Sequence, residues 1–376
     1  MESTQIINSK FTEITNKFLC HKHFTLFLSV VLLAWTVQTN PFIHTENLGT
    51  GFWNLIIGQS HSLLHNDFLL NLSFGINRAL KLSYPLIIKV LHISQPWQIF
   101  LLQLLFCLLL QFLLVRLCLK ISNNNRLGTA LFTFICSICY FSSNAAGDTF
   151  GHADMLAFLL IIIILSTKNL AIIFLNVILA LFTNERVLVL AIPTLLFYDF
   201  DERKKTLIVI MIGVCVYFAI KYYLNQQPHF NSITFPYDVR LPQLISTHVY
   251  NIYVYAFGGL WLLIVYWMYL IKKIPLVVLI ILPLSLCSFI VADCTRGLSF
   301  IFPIFLITLK NLYSLETRDR LNKLMMVAAI VSIILPNAIY FGEFWYRESL
   351  FSHVVGGNLQ FVFKKAYKLG INLVTK

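Results

Sequence analysis

The chain has 376 residues, of which 58% are hydrophobic and 12% charged, and its formal net charge is +12. An ordinary soluble domain holds roughly 25% charged residues, so this composition excludes one and points to a polytopic membrane protein. The apolar runs are continuous rather than alternating, which excludes a transmembrane β-barrel and leaves an all-α fold. Basic residues are scattered through the loops instead of gathering on an aromatic-rich domain, so positive-inside bias explains the charge and no nucleic-acid partner is expected.

In chain order, a polar lead with Lys10, Lys17 and Lys22 precedes a first apolar segment over 24–38. The lead is long and the segment has no small-residue cleavage site, which predicts a retained helix rather than a removed signal peptide. Next comes an outer loop over about 39–97, with turn signals at Asn40-Pro41 and Gly49-Thr50-Gly51. Its segments around 52–64 and 68–88 mix basic and apolar residues, as helices lying in the membrane interface do. Further spans are predicted at 98–119, 128–144, 153–167, 169–184, 187–200, 206–224, 251–271, 274–292, 297–309 and 324–341. The total is about eleven transmembrane helices.

With the N-terminus in the cytoplasm, the connections carrying Lys120/Arg126, Lys168, Arg203-Lys204-Lys205, Lys272-Lys273 and Lys310/Arg318/Arg320/Lys323 all fall inside. Reading 153–184 as one helix would put two of these clusters outside, so it is read as two. A second outer loop (225–250) and the C-terminal 343–376 then lie outside, within a single integral domain over 1–376. The two helices of 153–184 have only about 16 residues each, short of the roughly 20 needed to cross, so their outer ends are expected to lie in a recess below the membrane surface. The eight cysteines include Cys136 and Cys139 in a C-x-x-C. That pair sits mid-helix with no second ligand pair or nearby histidine, and buried free thiols are expected there and at Cys107, Cys118, Cys215 and Cys287, which also lie in apolar stretches.

Three polar islands emerge on the outer face: Asp148 to Asp154, Asn184-Glu185-Arg186, and Asp293-Cys294-Thr295-Arg296. Ionisable groups at membrane depth are costly and usually serve a pathway or a site. Asp148 and His152 are four apart, so a helical extension would bring them to one face, where a carboxylate beside an imidazole supports general-base work. Two carboxylates, Asp148 and Asp154, can hold a divalent cation, although nothing demands one and no metal ligands are assigned. The plainer reading of Asp154 is a cap on the helix it opens. For Glu185 and Arg186 it is a solvated corner, and for Asp293 and Arg296 a structural pair. Against these stands the planar donor fork of arginine, suited to an anionic lipid head group.

Gly151-His152-Ala153-Asp154-Met155-Leu156 at a helix start, then Thr183-Asn184-Glu185-Arg186 before an apolar helix with Pro193, then Asp293-Cys294-Thr295-Arg296 ahead of Phe302-Pro303, resemble the GT-C superfamily of polyprenyl-phosphate-sugar-dependent glycosyltransferases. The likeness is one of order and topology over most of the chain. Such enzymes commonly place an acidic pair just after the first helix, where this chain has Glu46 with His44 nearby. The resemblance implies an inverting transfer from a lipid-linked sugar donor, within the membrane, to a glycan, lipid or protein acceptor, at the outer face of a bacterial inner membrane. Glu46, Asp148 or Asp154 would be the catalytic carboxylate. Substrate would be held by His44, His152, Glu185, Arg186, Asp293 and Arg296, with Glu185 and Asp293 orienting the arginines. An O-antigen-type polymerase or ligase is the alternative enzyme, thinly supported by His229, Arg240 and His248. A transporter would show midplane charges and repeat symmetry, and a structural subunit would need no co-located acids and arginines.

Overall fold

The structure, a computed structural model, describes residues 23–39, 53–63, 81–142, 145, 153–225, 249–290, 294–335, 338–340 and 344–346. Apart from turns and connections, these residues are helical, with one short antiparallel strand pair. The helices are α1 (Phe24–Thr39), α2 (Trp53–His61), α3 (Ser83–Val90), α4 (Pro96–Ile121), α5 (Arg126–Ile138), α6 (Asp154–Ser166) and α7 (Leu170–Thr183). A π-helical turn (Val187–Ala191) leads into the short α8 (Ile192–Leu195), then α9 (Arg203–Asn225), α10 (Val249–Phe257), α11 (Leu260–Ile271) and α12 (Leu276–Ser285). The chain continues through α13 (Cys294–Leu298), α14 (Pro303–Leu315) and α15 (Arg318–Ile334) to strands β1 (Ala338–Tyr340) and β2 (Phe344–Tyr346).

Three helical stretches, Pro96–Ile121, Arg203–Leu224 and Cys294–Leu315, are long and apolar enough to cross a bilayer. The first two present apolar outward faces, while the third is largely buried. Leu101, Leu105 and Leu109 line one side of α4, and Ile208, Met211 and Ile212 one side of α9, all exposed. α6 is the reverse, apolar all round and buried along nearly its whole length, as a helix at the centre of a bundle must be. It packs between α4 and α7, and α7 packs in turn on α9, where Gly213 allows close approach to Val177.

Most predicted spans coincide with helices, and the departures have physical causes. The 251–271 segment is broken between α10 and α11 at Gly258, whose φ of 49° suits glycine. The 187–200 segment is helical only to Leu195. The 324–341 segment stops at Ile334 because Leu335 is extended ahead of Pro336, which cannot continue a helix. Beyond it, β1 pairs antiparallel with β2, Ile339 opposite Trp345.

In the first loop, α2 falls within the predicted segment 52–64, while α3 begins inside 68–88 and runs two residues past it to Val90. Trp53 and Tyr84 are buried with ring centroids 5.7 Å apart, and Tyr84 meets Phe106 of α4 edge-on at 6.1 Å. Most of the 225–250 loop, and 347–376, lie outside the described residues. Cys107, Cys118, Cys136 and Cys139 are buried free thiols as expected, with Cys139 just past the end of α5 rather than mid-helix, whereas Cys215 and Cys287, also expected to be buried, are exposed on apolar helix faces.

Candidate functional site

The three polar islands meet. Asp154, in the first turn of α6, receives two bonds from the Arg296 guanidinium: Nε donates to Oδ2, and Nη2 donates to Oδ1 at 3.0 Å. Asn184 Nδ2 donates to the same Oδ1 at 2.6 Å. Asp154 is 1% exposed and Arg296 6%, so the pair is withdrawn from solvent almost completely. A buried charge is tolerated only where it is paired and hydrogen-bonded, and three charge-assisted bonds meet that condition.

Local sequence puts each member at this level. α6 cannot extend back toward Asp148, because Ala153 has φ 64° and ψ 15°, in the left-handed region that strains a residue bearing a Cβ. The continuous helical extension expected over 148–154 is therefore interrupted at Ala153. Asp154 spends its carboxylate on Arg296 and Asn184 rather than on capping. Asn184 ends α7 in an extended conformation, and its Oδ1 accepts from Arg186 N at 3.0 Å, closing a tight Asx turn. The π turn begins at once, with Ile192 N reaching back to Val187 O. Pro193 lacks the N–H that an α-helical register would use here, and π turns of this kind are frequent at functional sites.

Arg296 is held in place by the aromatic residues just C-terminal to it. Phe300 lies 4.6 Å from Phe158 of α6 between ring centroids, and Phe302 stacks on Phe141 at 4.7 Å. Arg296 precedes Phe300, and Asp154 precedes Phe158, by the same four residues, so the aromatic contact and the ion pair set one register between α6 and the 294–315 stretch.

The second acid of the islands has a different partner from the one expected. Glu185 forms an ion pair with Lys221 Nζ at 3.2 Å rather than orienting an arginine. Lys221 also lies 5.7 Å from the ring centroid of Tyr217 on its own helix. This lysine is the site residue that sequence reasoning missed. The signal was there, as the one charge at the far end of an otherwise apolar 206–224 segment. Asn184 was legible only as part of a polar island, not as the bridge between Asp154 and the corner.

Both carboxylate oxygens of Asp154 are engaged, by three N–H donors in all. Glu46, His44, Asp148, His152 and Asp293 lie outside the described residues. Among the described residues no cluster of three or more His, Cys, Asp or Glu side chains is placed to hold a metal ion.

The opposite end of α6 is lysine-rich. Lys168 and Lys120 reach Asp201 at 2.6 and 3.6 Å, and Lys310 reaches Asp199 at 2.8 Å, around a cavity of about 300 Å³. The hydrogen bond from Lys168 holds the Asp201 carboxyl below its usual range and raises the ammonium in return. At 1.5 Å per residue the 13 residues of α6 place this cluster ~20 Å from Asp154. The cavity therefore belongs to the other end of the bundle.

No family model, no curated protein and no solved structure matches this chain.

Proposed function

We propose that this protein is an integral-membrane glycosyltransferase that moves a sugar from a lipid-phosphate carrier to a glycan, lipid or protein acceptor at the non-cytoplasmic face. In this reading the chain makes about eleven spans of a bacterial inner membrane with its N-terminus in the cytoplasm. The lysine-rich end lies at the cytoplasmic interface. Asp154, ~20 Å along α6 from that end, then sits ~10 Å below the far boundary of a hydrocarbon core about 30 Å thick. The site is a recess reached by a lipid carrier from the outer leaflet and by the acceptor from the aqueous side.

The observation that supports this most is the fully buried Asp154–Arg296 pair with its Asn184 bridge. It joins three polar islands that the membrane would otherwise disfavour. A guanidinium fixed in plane by a carboxylate is preorganised to meet a phosphate without reorienting. In the reaction, Glu46 or Asp148 takes the proton of the acceptor hydroxyl, and the acceptor oxygen attacks the anomeric carbon with inversion. The bond from that carbon to the phosphate oxygen breaks, and its electron pair departs with the lipid phosphate, which Arg296 and Arg186 stabilise.

The test is incubation of the purified protein in lipid with radiolabelled polyprenyl-phosphate and polyprenyl-pyrophosphate sugars. Transfer or release of sugar from a monophosphate donor is expected, with inverted anomeric configuration. No turnover of any donor, together with no binding, contradicts the reading.

A further inference from the structure

α9 carries no charged residue between Lys205 and Lys221. Lys221 stands 18 positions beyond Arg203, ~27 Å along the helix, close to its far end. A lysine near the end of a membrane helix ordinarily extends its stem toward the water. Here the side chain is only 21% exposed and turns inward, to Glu185 at 3.2 Å and the face of Tyr217. Glu185 is covalently next to Asn184, so this pair and the Asp154–Arg296 pair share one corner of the chain.

The two pairs differ in kind. Asp154 and Arg296 are sealed in by three bonds, whereas Glu185 and Lys221 share a single contact and are partly open to the surroundings, with Glu185 38% exposed. A half-exposed pair of this sort contributes little to stability and exchanges partners readily. An ammonium on a flexible stem can change partner where a fixed guanidinium cannot. From these features we infer that Lys221 is a third phosphate-binding cation of the site, beside Arg296 and Arg186, with Glu185 as the counter-ion that holds it until the phosphate gains its second charge; this rests on the glycosyl transfer proposed above.

Its chemical use comes from the charge change during transfer. A sugar-linked lipid phosphate is a diester with one negative charge. The departing lipid phosphate is a monoester that gains a second as the bond to the sugar breaks. Arg296 meets the first charge from a fixed position, and Lys221 leaves Glu185 as the second develops. The lipid-borne form of phosphate is favoured because Lys221 sits on a helix with an apolar exposed face.

The test uses the full-length protein in phosphatidylcholine nanodiscs, titrated with a polyprenyl phosphate, the corresponding polyprenol and inorganic phosphate. Lys221→Ala is expected to weaken polyprenyl-phosphate binding about tenfold or more, with Lys221→Arg close to wild type. Glu185→Gln is expected to bind as tightly as wild type or more so, because it removes the resting competitor. A purely structural pair would make both losses act alike, through unfolding temperature and not through phosphate affinity. Unchanged binding by Lys221→Ala, or equal weakening by Glu185→Gln, overturns the inference while leaving wild-type transfer intact. Equal binding of inorganic phosphate overturns the lipid-borne assignment. Failure of the wild type to prefer the polyprenyl phosphate over the polyprenol removes both the inference and the reading beneath it.

Discussion

Asp154 and Arg296 stand in a part of the molecule where neither charge is tolerable alone. Breaking a buried pair by removing one partner costs about 3–5 kcal/mol, whereas replacing both by neutral groups of similar shape is often close to neutral. Asp154→Asn and Arg296→Met are therefore each expected to lose about that much stability, and the double variant to recover most of it. A double-mutant cycle of reversible unfolding in detergent measures this, and additive losses would show that the two side chains are not coupled. Both residues were conspicuous in the sequence as charges within apolar stretches. Their pairing was not, because they lie 142 positions apart and local spacing says nothing about contacts at that range. The partners of Asp154 were hidden for the same reason: capping and proton transfer are what a lone aspartate at a helix start suggests, and nothing in the local sequence points to Arg296.

Continuous apolar runs marked the helices well, because the bilayer dictates their length and the runs end where polar residues begin. Breaks inside apolar runs were harder to read. Gly258 and Gly259 divide 251–271, and the reason lies on another helix: Gly259 N donates to Ser332 Oγ at 2.8 Å, and a Cβ at Gly259 would lie 1.9 Å from the Ala328 carbonyl oxygen. Gly259→Ala must push α11 away from the α15 backbone, and a loss of about 1–3 kcal/mol is expected. Gly213→Ala should cost less, since its nearest neighbour is a Val177 methyl, at 2.9 Å, that can shift. Unfolding temperatures of the two variants check the order, and equal losses would argue against backbone contact as the cause. The π turn after Arg186 was similarly hidden. Pro193 was visible, but its consequence depends on which carbonyl it leaves without a donor.

Over the whole molecule, the helices differ sharply in length, and the recess in the proposed reading rests on that contrast. α4 and α9, at 26 and 23 residues, reach ~39 and ~34 Å, while α6 and α7, at 13 and 14, reach only ~20 Å. Short central helices surrounded by long ones were legible from run length alone, as was the clustering of lysines at one end. Lys221 was visible as a lone charge but not as a member of the site, because a single lysine near the end of a predicted span reads as an ordinary interfacial anchor. The most direct measurement is sugar transfer from a polyprenyl-phosphate donor by wild type beside the Asp154→Asn/Arg296→Met double variant, after both are shown to be inserted and folded. Transfer by wild type and none by the variant is the expected result. Transfer by the variant at the wild-type rate would contradict the placement of the reaction at this pair.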